Sequence, residues 1–434
     1  MLQTVFSSWP LFLGLLLLML GNGLQGTLLG LRADIEGFPT AITGLVMSIF
    51  YAGYLIGALR APILIARVGH IRVFAAFSAL ASAAVLLHAI FLAPWMWAIM
   101  RLVSGFSFAT LFIVAESWLN GQTKNADRAK VLGFYMFVVF GGMGAGQLLL
   151  GIADPADFVL FTAVSVLVSV AVVPMLLTSG PAPAIPTPKP IDLKGLFRTS
   201  PLGVVGTFAS GLTGGAVFGM GAVFASQLGL AVGAVALFMF ALMMAAMCGQ
   251  FPLGYLADRF DRRLVIIIAA LAAGAAGLGA VVVDGPAKLG LLTVAVFIAF
   301  PLYSVSVAHI NDHLDNDGMT AAAGGIMMMN GFGAAVGPFA VGVAMSVLGP
   351  TGFALFIGGV YAALGGFGVY RTFRRPSVPL DEQGPTLPIP RATPAATGMA
   401  QEVALERAET DASAGEPGGA ETAAKAVDEK PSLV

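Results

Sequence analysis

The stretch SGPAPAIPTPKPIDLKGLFRT, Ser179 to Thr199, lies between two long apolar regions of the sequence. Its prolines prevent a continuous helix, and its Lys and Arg residues favour the cytoplasmic surface of a membrane. On both sides of it, from Leu11 to Gly368, apolar runs of about twenty residues recur, each long enough to cross a hydrocarbon core of about 30 Å as a helix. We therefore expect two bundles of membrane helices joined by a linker.

The composition excludes most other classes of protein. Of 434 residues, 58% are hydrophobic and only 10% are charged, which a water-soluble domain does not reach. With Cys248 as its one cysteine, the chain has no intramolecular disulfide. The start, MLQTVFSSWP, has neither a basic n-region nor a cleavage site, so we expect no cleaved signal peptide.

Twelve membrane spans follow from windows of about twenty residues. They are expected near residues 9–31, 40–59, 73–93, 96–119, 131–153, 158–178, 201–225, 231–254, 264–283, 289–309, 320–347 and 351–370.

The basic residues between the spans are distributed unevenly. Only Arg32 and Lys288 follow odd-numbered spans, and the loop after span ten carries Asp312, Asp315 and Asp317 without a basic residue. Fifteen Lys and Arg residues lie after even-numbered spans, in the linker or after span twelve: Arg60, Arg67, Arg72, Lys124, Arg128, Lys130, Lys189, Lys194, Arg198, Arg259, Arg262, Arg263, Arg371, Arg374 and Arg375. This bias predicts that both termini are cytoplasmic.

The C-terminal tail differs from the rest of the chain. Residues 1–375 contain 18 Lys plus Arg against 13 Asp plus Glu, whereas residues 376–434 contain 4 against 10. Without aromatic residues the tail cannot bury enough apolar surface to fold. We predict a first six-helix bundle (1–178), a linker (179–200), a second six-helix bundle (201–375) and a disordered acidic cytoplasmic tail (376–434), either a solvated spacer or a segment that binds a partner.

An internal repeat relates the two bundles at an offset of 192 residues. Arg67 of the first basic loop corresponds to Arg259 of the second. Gly133, Met136, Phe140 and Gly141 of span five correspond to Gly325, Met328, Phe332 and Gly333 of span eleven. Two like halves across a cytoplasmic linker predict a site between them near the membrane midplane, reached by rocking one half against the other.

Two loop strings carry a family resemblance. GYLADRFDRR, Gly254 to Arg263, resembles the loop motif of the major facilitator superfamily, whereas PILIARVGHIR, Pro62 to Arg72, keeps only part of it. GTLLGLRA, RVGHIRVFA, AESWLNG and GAAVGP resemble the YcaD-type bacterial branch. Over residues 9–371 the resemblance implies an all-α membrane protein with twelve transmembrane helices in two pseudo-symmetric six-helix bundles, the major facilitator fold. It also implies transport, without naming a substrate.

The two basic loops supply candidates for a conformational latch. The Asp258 carboxylate can accept charge-assisted hydrogen bonds from an arginine or a helix N-terminus in one conformation and lose them in another. The alternative is that the basic cluster only sets topology. The candidates are Arg67, Gly69, Arg72, Gly254, Asp258, Arg259, Arg262 and Arg263.

Arg101 and Glu116 are the charged-type residues well inside a predicted span, both in span four. Each is costly in lipid and is therefore a functional candidate. Arg101 is either a fixed cation that binds an anionic group or tunes a carboxylate, or a residue that reaches the membrane interface. Glu116 is either a proton-coupling carboxylate or, as we favour, a structural partner or gate near the cytoplasmic end. About 22 Å of helix axis separates them, so they cannot pair.

Neutral polar residues complete the predicted site: Asn22, Gln25, Tyr51, Tyr54, Gln147, Tyr303 and Asn330. They could line a central cavity or join helices by hydrogen bonds. His309, Asp312 and His313 have a spacing seen in metal sites, but a surface helix end explains them better, and we expect no metal and no cofactor.

The sequence thus predicts a secondary active transporter of the bacterial-type cytoplasmic (inner) membrane, not an enzyme, that moves a small organic solute by alternating access. Its partners would be that solute, the lipid bilayer and either a coupling proton or another ion, with no nucleic acid. Two alternatives stay open: a proton-coupled exporter of drugs or apolar compounds, and a membrane sensor or scaffold that does not transport.

Overall fold

A computed structural model describes residues 9–123, 128–176, 192–314, 316–374, 379, 383, 384 and 386. In this part of the chain twelve helices are long and apolar enough to cross a membrane. They are α1 Trp9–Ile35, α2 Thr40–Val68, α3 His70–Ile90, α4 Pro94–Gly121, α5 Lys130–Ile152, α6 Val159–Leu176, α7 Pro201–Gln227, α8 Val232–Arg259, α9 Arg262–Val282, α10 Pro286–Asn311, α11 Ala322–Leu348 and α12 Thr351–Thr372. The predicted all-α fold with twelve spans is confirmed.

Several of these helices are interrupted. The α5 helix ends in a 3-10 turn, Leu149–Ile152, α6 breaks at Ala171, and α8 breaks at Gly249. The α10 helix breaks at Phe300 and Pro301, because the ring nitrogen of a proline has no hydrogen to donate to the preceding turn. Such breaks are tolerated in a membrane where neighbouring helices cover the freed backbone groups.

The helices pack as two groups of six. In the first half α2 packs on α4 and α1 on α5; in the second half α7 packs on α11 and α9 on α12. The halves meet where α2 contacts α11, α5 contacts α8 and α1 contacts α7. Of the linker, residues 192–200 are described and form a short helix, Leu193–Thr199, whose cap Asp192 accepts a hydrogen bond from Gly195 N at 2.8 Å.

The two halves use the same glycine contact. A Cβ built on Gly23 of α1 would overlap the carbonyl oxygen of Met143 in α5, and one built on Gly215 of α7 would overlap that of Ala334 in α11. Gly23 and Gly215 are related by the predicted offset of 192 residues. Small residues let membrane helices approach until their backbones touch, because lipid supplies no hydrophobic drive for helix association.

The bundle has two ends. The loops with Arg67 and Arg259 lie at one of them, called the basic end, and the opposite end is called the distal end. The predicted disorder of residues 376–434 concerns mostly residues outside the described part of the chain. Of the tail, Pro379, Gln383, Gly384 and Thr386 are described, and two of them contact the second half at the basic end.

Candidate functional site: a cavity between the two halves

A cavity of about 180 Å³ lies between the halves, near the middle of the bundle. In the first half its wall comes from α1, α2, α4 and α5, and in the second half from α7, α10 and α11. One water molecule needs about 10–15 Å³ of such space, so the cavity can hold a small organic molecule. Because both halves contribute, a rocking motion between them would change access to it.

The wall is mainly apolar and aromatic, with polar groups at a few points. Its larger apolar side chains are Met19, Phe50, Phe112, Phe140, Met143, Phe218, Phe300 and Met327. Its polar side chains are Asn22, Thr27, Tyr51, Tyr54, Arg101, Gln147 and Asn330. A mostly apolar pocket with a few convergent polar groups is the usual form of a binding site for a small organic molecule.

Six of the nine predicted candidates for solute binding or coupling line this space: Asn22, Tyr51, Tyr54, Arg101, Gln147 and Asn330. Gln25, Glu116 and Tyr303 are buried but lie outside its wall. Asn22 and Gln25 are three residues apart on α1, and only the first faces the cavity. Side chains three positions apart on a helix point in directions that differ by about 60°. This difference is enough for Asn22 to line the cavity while Gln25 is buried inside the bundle.

Residues that the sequence analysis did not single out hold the polar groups in place. Thr27 Oγ1 donates a hydrogen bond to Gln147 Oε1 and so joins α1 to α5 at the cavity wall. Asn330 Nδ2 of α11 donates to the carbonyl oxygen of Thr207 in α7 at 3.0 Å. The phenylalanines of the wall had no sequence signal, because a chain with 31 Phe residues offers many equivalent candidates.

Arg101 brings a cation into this cavity. Its side chain belongs to α4, which begins at Pro94, where the fixed proline φ suits the first helical position. Arg101 is only 4% exposed, and its guanidinium carbon lies 4.1 Å from the centroid of the Phe50 ring. Its Nε has no hydrogen-bond partner, and no carboxylate of the described residues forms an ion pair with it. Arg101 therefore faces the cavity and does not reach out to the membrane interface.

Glu116 has a different environment on the same helix. It is fully buried and accepts a hydrogen bond from the Tyr135 hydroxyl of α5. Fifteen residues separate it from Arg101, about 22 Å along the helix axis. Its carboxylate therefore joins α4 to α5 toward the basic end.

At the distal end, hydrogen bonds connect the two halves. Ser226 Oγ of α7 donates to Asp34 Oδ2 of α1 at 2.5 Å, and Gln227 Nε2 donates to Thr40 Oγ1 at 3.0 Å. Deeper in the distal half, Phe339 N of α11 donates to Ser48 Oγ of α2 at 2.9 Å. These three hydrogen bonds join the two halves on the same side of the cavity. The distal end is therefore closed.

At the basic end, the second half contains a buried ion pair. Arg262, 1% exposed, donates to Asp312 beyond α10, and its Nη2 lies 3.7 Å from Asp258 Oδ1. Burial raises the pKa of the Asp312 carboxyl above its ordinary value, while Arg262 and the backbone N–H of Gly384 act in the opposite direction. Asp312 thus pairs with an arginine of the predicted latch.

The remaining latch residues of the second half surround this pair. Arg263 N donates to Asp261 Oδ1 at 2.8 Å, which caps the start of α9. The Arg259 guanidinium lies over the Tyr255 ring, 5.3 Å from its centroid. Gly254 has open space where a Cβ would lie.

The tail binds to the same cluster. Thr386 N donates to Asp258 Oδ1 at 2.7 Å, Gly384 N donates to Asp312 Oδ1 at 3.3 Å, and Arg262 donates to the carbonyl oxygen of Gly384. Thr386 is 8% exposed. Charged groups at the ends of three helices, α8, α9 and α10, are thus bound by backbone groups of one segment, in which Thr386 is buried and Gly384 is exposed.

The positions of the first half that correspond to this ion pair hold neutral residues. At the offset of 192 residues, His70 corresponds to Arg262 and Asn120 to Asp312. His70 Nε2 shares a hydrogen bond of 3.2 Å with Ser117 Oγ, and its ring stacks on Trp118. Gly69, between Arg67 and Arg72, has φ 94°, a conformation that favours glycine. The first-half loop thus keeps the turn of the motif with Arg67 and Arg72, while His70 and Asn120 stand at the positions of the ion pair.

Twelve membrane helices in two like halves, with a cavity between them that is closed at one end, are the architecture of a secondary transporter. The family model of the Major Facilitator Superfamily matches residues 11–311 and 203–400. The chain belongs to this superfamily, and its curated relatives place it in the YcaD-type branch.

Among these relatives, the uncharacterized MFS-type transporter YcaD of Escherichia fergusonii is 28% identical over 336 residues, covering 75% of this chain and 85% of the relative. An uncharacterized MFS-type transporter of Yersinia enterocolitica is 29% identical over 343 residues, covering 76% and 86%.

Solved structures share the fold. The nucleoside transporter NupG superimposes with a TM-score of 0.68 at 16% identity, covering 84% of this chain and 98% of that chain. A bacterial homologue of the human lysosomal transporter Spinster, inward-facing and unoccupied, gives 0.65 at 15% identity, covering 92% and 98%. At these identities the likeness shows the fold alone.

The distal closure predicts a cross-link. In a Cys248→Ser background, the pair Asp34→Cys and Ser226→Cys should form a disulfide under mild oxidation, because the native side chains are in contact. The measurement is the fraction of protein that shifts on a non-reducing gel. The control pair Arg67→Cys and Arg259→Cys, at the basic end, should remain reduced. Efficient cross-linking of the control pair only would contradict closure at the distal end.

The tail contact predicts a difference between two substitutions at one position. Thr386→Pro removes the N–H that binds Asp258 and should release the segment, because a hydrogen bond to a charged group contributes about 1.5–3 kcal/mol. Thr386→Ala keeps the N–H and should leave it bound. Hydrogen–deuterium exchange of a peptide spanning residues 379–390 measures the release. Equal exchange in both variants would show that this bond does not hold the tail.

Proposed function

We propose that this protein moves a small amphipathic organic solute across the membrane by alternating access through the cavity between its halves. One observation carries the proposal: the two halves share the walls of the cavity, and three hydrogen bonds join them on its distal side. A solute would enter from the basic end, and rocking the halves would break the distal bonds and open the other end.

The orientation of this cycle follows from charge. Basic loops are retained on the cytoplasmic side, so we place the basic end and both termini in the cytoplasm and the chain in the inner membrane of a bacterium. In this orientation the distal end, where hydrogen bonds join the halves, would face the periplasm, and the solute would enter from the cytoplasm. The bacterial source of the curated relatives supports the assignment of the membrane.

The latch proposal concerns the loops of both halves at the basic end. The Asp258, Arg262 and Asp312 cluster at the basic end is bound by the tail in this state, while its first-half counterpart is neutral. We propose that the charged cluster of the second half is the part of the latch that exchanges partners when the basic end closes. The first-half loop, in which His70 and Asn120 replace the ion pair, then serves mainly as a turn, and its Arg67 and Arg72 act as a topology signal.

Proton coupling through Glu116 is the second candidate within transport. A coupling carboxylate needs a route to water or to the solute, and Glu116 lies outside the cavity wall with Tyr135 bound to it. This placement favours the structural role. A sensor or scaffold is the candidate outside transport, and solute flux by the pure protein distinguishes it from a carrier.

Locking the distal end should stop transport. Pure protein in proteoliposomes, assayed with a solute library and an imposed pH gradient, should move at least one solute. In the Cys248→Ser background, oxidation of the Asp34→Cys and Ser226→Cys pair should reduce that flux to the background, and a reductant should restore it. The two single-cysteine variants control for oxidation itself. Undiminished flux through fully cross-linked protein would contradict alternating access, and no flux for any solute through folded, reduced protein would favour the sensor.

Glu116→Gln should leave the response to a pH gradient intact. The amide oxygen can still accept from Tyr135, so the α4–α5 contact remains. Glu116→Leu should instead lower the melting temperature, because a buried hydroxyl without a partner costs about 1–3 kcal/mol. The measurements are flux at several pH gradients and thermal unfolding in detergent. Loss of gradient-driven flux in the stable Gln variant, with solute binding preserved, would establish Glu116 as the coupling group.

A further inference from the structure

The charge of the cavity is not balanced by the described residues. Arg101 is the only residue among those lining it that is charged at neutral pH; the other polar groups are amides, phenols and a threonine hydroxyl. The described residues offer no carboxylate in ion-pair distance, and Glu116 is about 22 Å away along the helix axis. A buried charge without a partner is costly within a membrane protein. The site is therefore suited to a ligand that brings a negative charge.

The immediate surroundings of Arg101 indicate the shape of that ligand. The guanidinium lies against the Phe50 ring, 4.1 Å from its centroid, which leaves its edges for hydrogen bonds. Nε is buried and has no hydrogen-bond partner, so one N–H group of the guanidinium is unsatisfied. A planar guanidinium suits a carboxylate, which can accept two parallel hydrogen bonds from it.

The rest of the wall indicates the body of the ligand. Away from Arg101, aromatic and methionine side chains dominate, including Phe112, Phe140, Phe218 and Phe300. Such a wall favours an aromatic or aliphatic group and offers little to a strongly hydrated one. The volume of about 180 Å³ exceeds what an inorganic anion needs.

We propose that the cavity binds small amphipathic organic anions, with one carboxylate on the Arg101 guanidinium and an apolar body against the phenylalanine and methionine wall. This proposal rests on the proposed function, since it names the class of solute for the same cavity. It specifies that this solute carries a negative charge and assigns Arg101 a direct contact with it.

The test uses pairs of probes with the same body and different charge. They are benzoate and benzamide, phenylacetate and phenylacetamide, and phenylpropionate and phenylpropionamide. Isothermal titration of the pure full-length protein at neutral pH should give tighter binding for the carboxylate of at least one pair, by about tenfold or more, as expected for a hydrogen-bonded charge pair. Arg101→Gln should remove this preference, and Arg101→Lys should restore only part of it, because an ammonium lacks the planar fork.

Matched controls separate the role of Arg101 from general effects of charge and folding. Arg198→Gln removes the same charge from the exposed side of the linker helix and should keep the carboxylate preference. Phe50→Leu should weaken binding of both members of a pair. Thermal unfolding and circular dichroism establish that each variant is folded.

Three results would overturn the proposal: equal binding of carboxylate and amide, a preference that survives in folded Arg101→Gln, or no binding of any probe to folded wild-type protein. Flux in proteoliposomes distinguishes this failure from failure of the carrier. Transport of amides or other neutral solutes without transport of carboxylates would refute the anion and leave alternating access in place. Absence of all solute flux would refute the carrier itself.

Discussion

Contact between helix backbones at glycines is the constraint on which the rest of the structure depends. In lipid, helices gain little by burying apolar side chains against each other, so they associate where small residues permit close packing. The contact of Gly23 in α1 with α5 and that of Gly215 in α7 with α11 fix the positions of α1 and α7. In the same way, Gly105 of α4 lies against the carbonyl oxygen of Phe50 in α2. The last contact holds Phe50 beside Arg101, because the ring and the guanidinium come from the two helices that touch there.

The polar groups divide into sets with separate tasks. Hydrogen bonds without an ion pair close the distal end, one of them to the Asp34 carboxylate, and they can exchange with water when the halves rock. The charged cluster of Asp258, Arg262 and Asp312 lies within one half at the basic end, so it can exchange its tail partner without breaking a contact between the halves. Between these ends, Arg101 is held by an aromatic ring and lacks a carboxylate partner among the described residues. Because the Arg101 guanidinium is not held in an ion pair with a described residue, it can bind a charged ligand in the cavity.

The sequence predicted the twelve spans and most of the cavity because both depend on local patterns. Apolar run length determines where a helix can cross the membrane, and a polar residue in such a run has to face protein or water. Asn22, Tyr51 and Arg101 were identified in this way. The sequence could not show that Asn22 lines the cavity and Gln25 does not, because both lie on one broad face of α1. Part of such a face can border the cavity while another part packs against neighbouring helices. The tail contact at Thr386 had no local signal, because it uses backbone groups that every residue possesses.

Asp34 and Ser226, which bond at the distal end, are 192 residues apart and so occupy equivalent positions of the two halves. In a dimer of identical subunits, a residue on the symmetry axis has to face its own copy. Two aspartates that face each other would repel. Because identical subunits have the same residue at this position, one subunit could not supply the carboxylate while the other supplied the hydroxyl donor. Joining both copies in one polypeptide removes this restriction, because each copy can then mutate alone. The Asp34–Ser226 bond is thus one that a homodimer with the same backbone could not make.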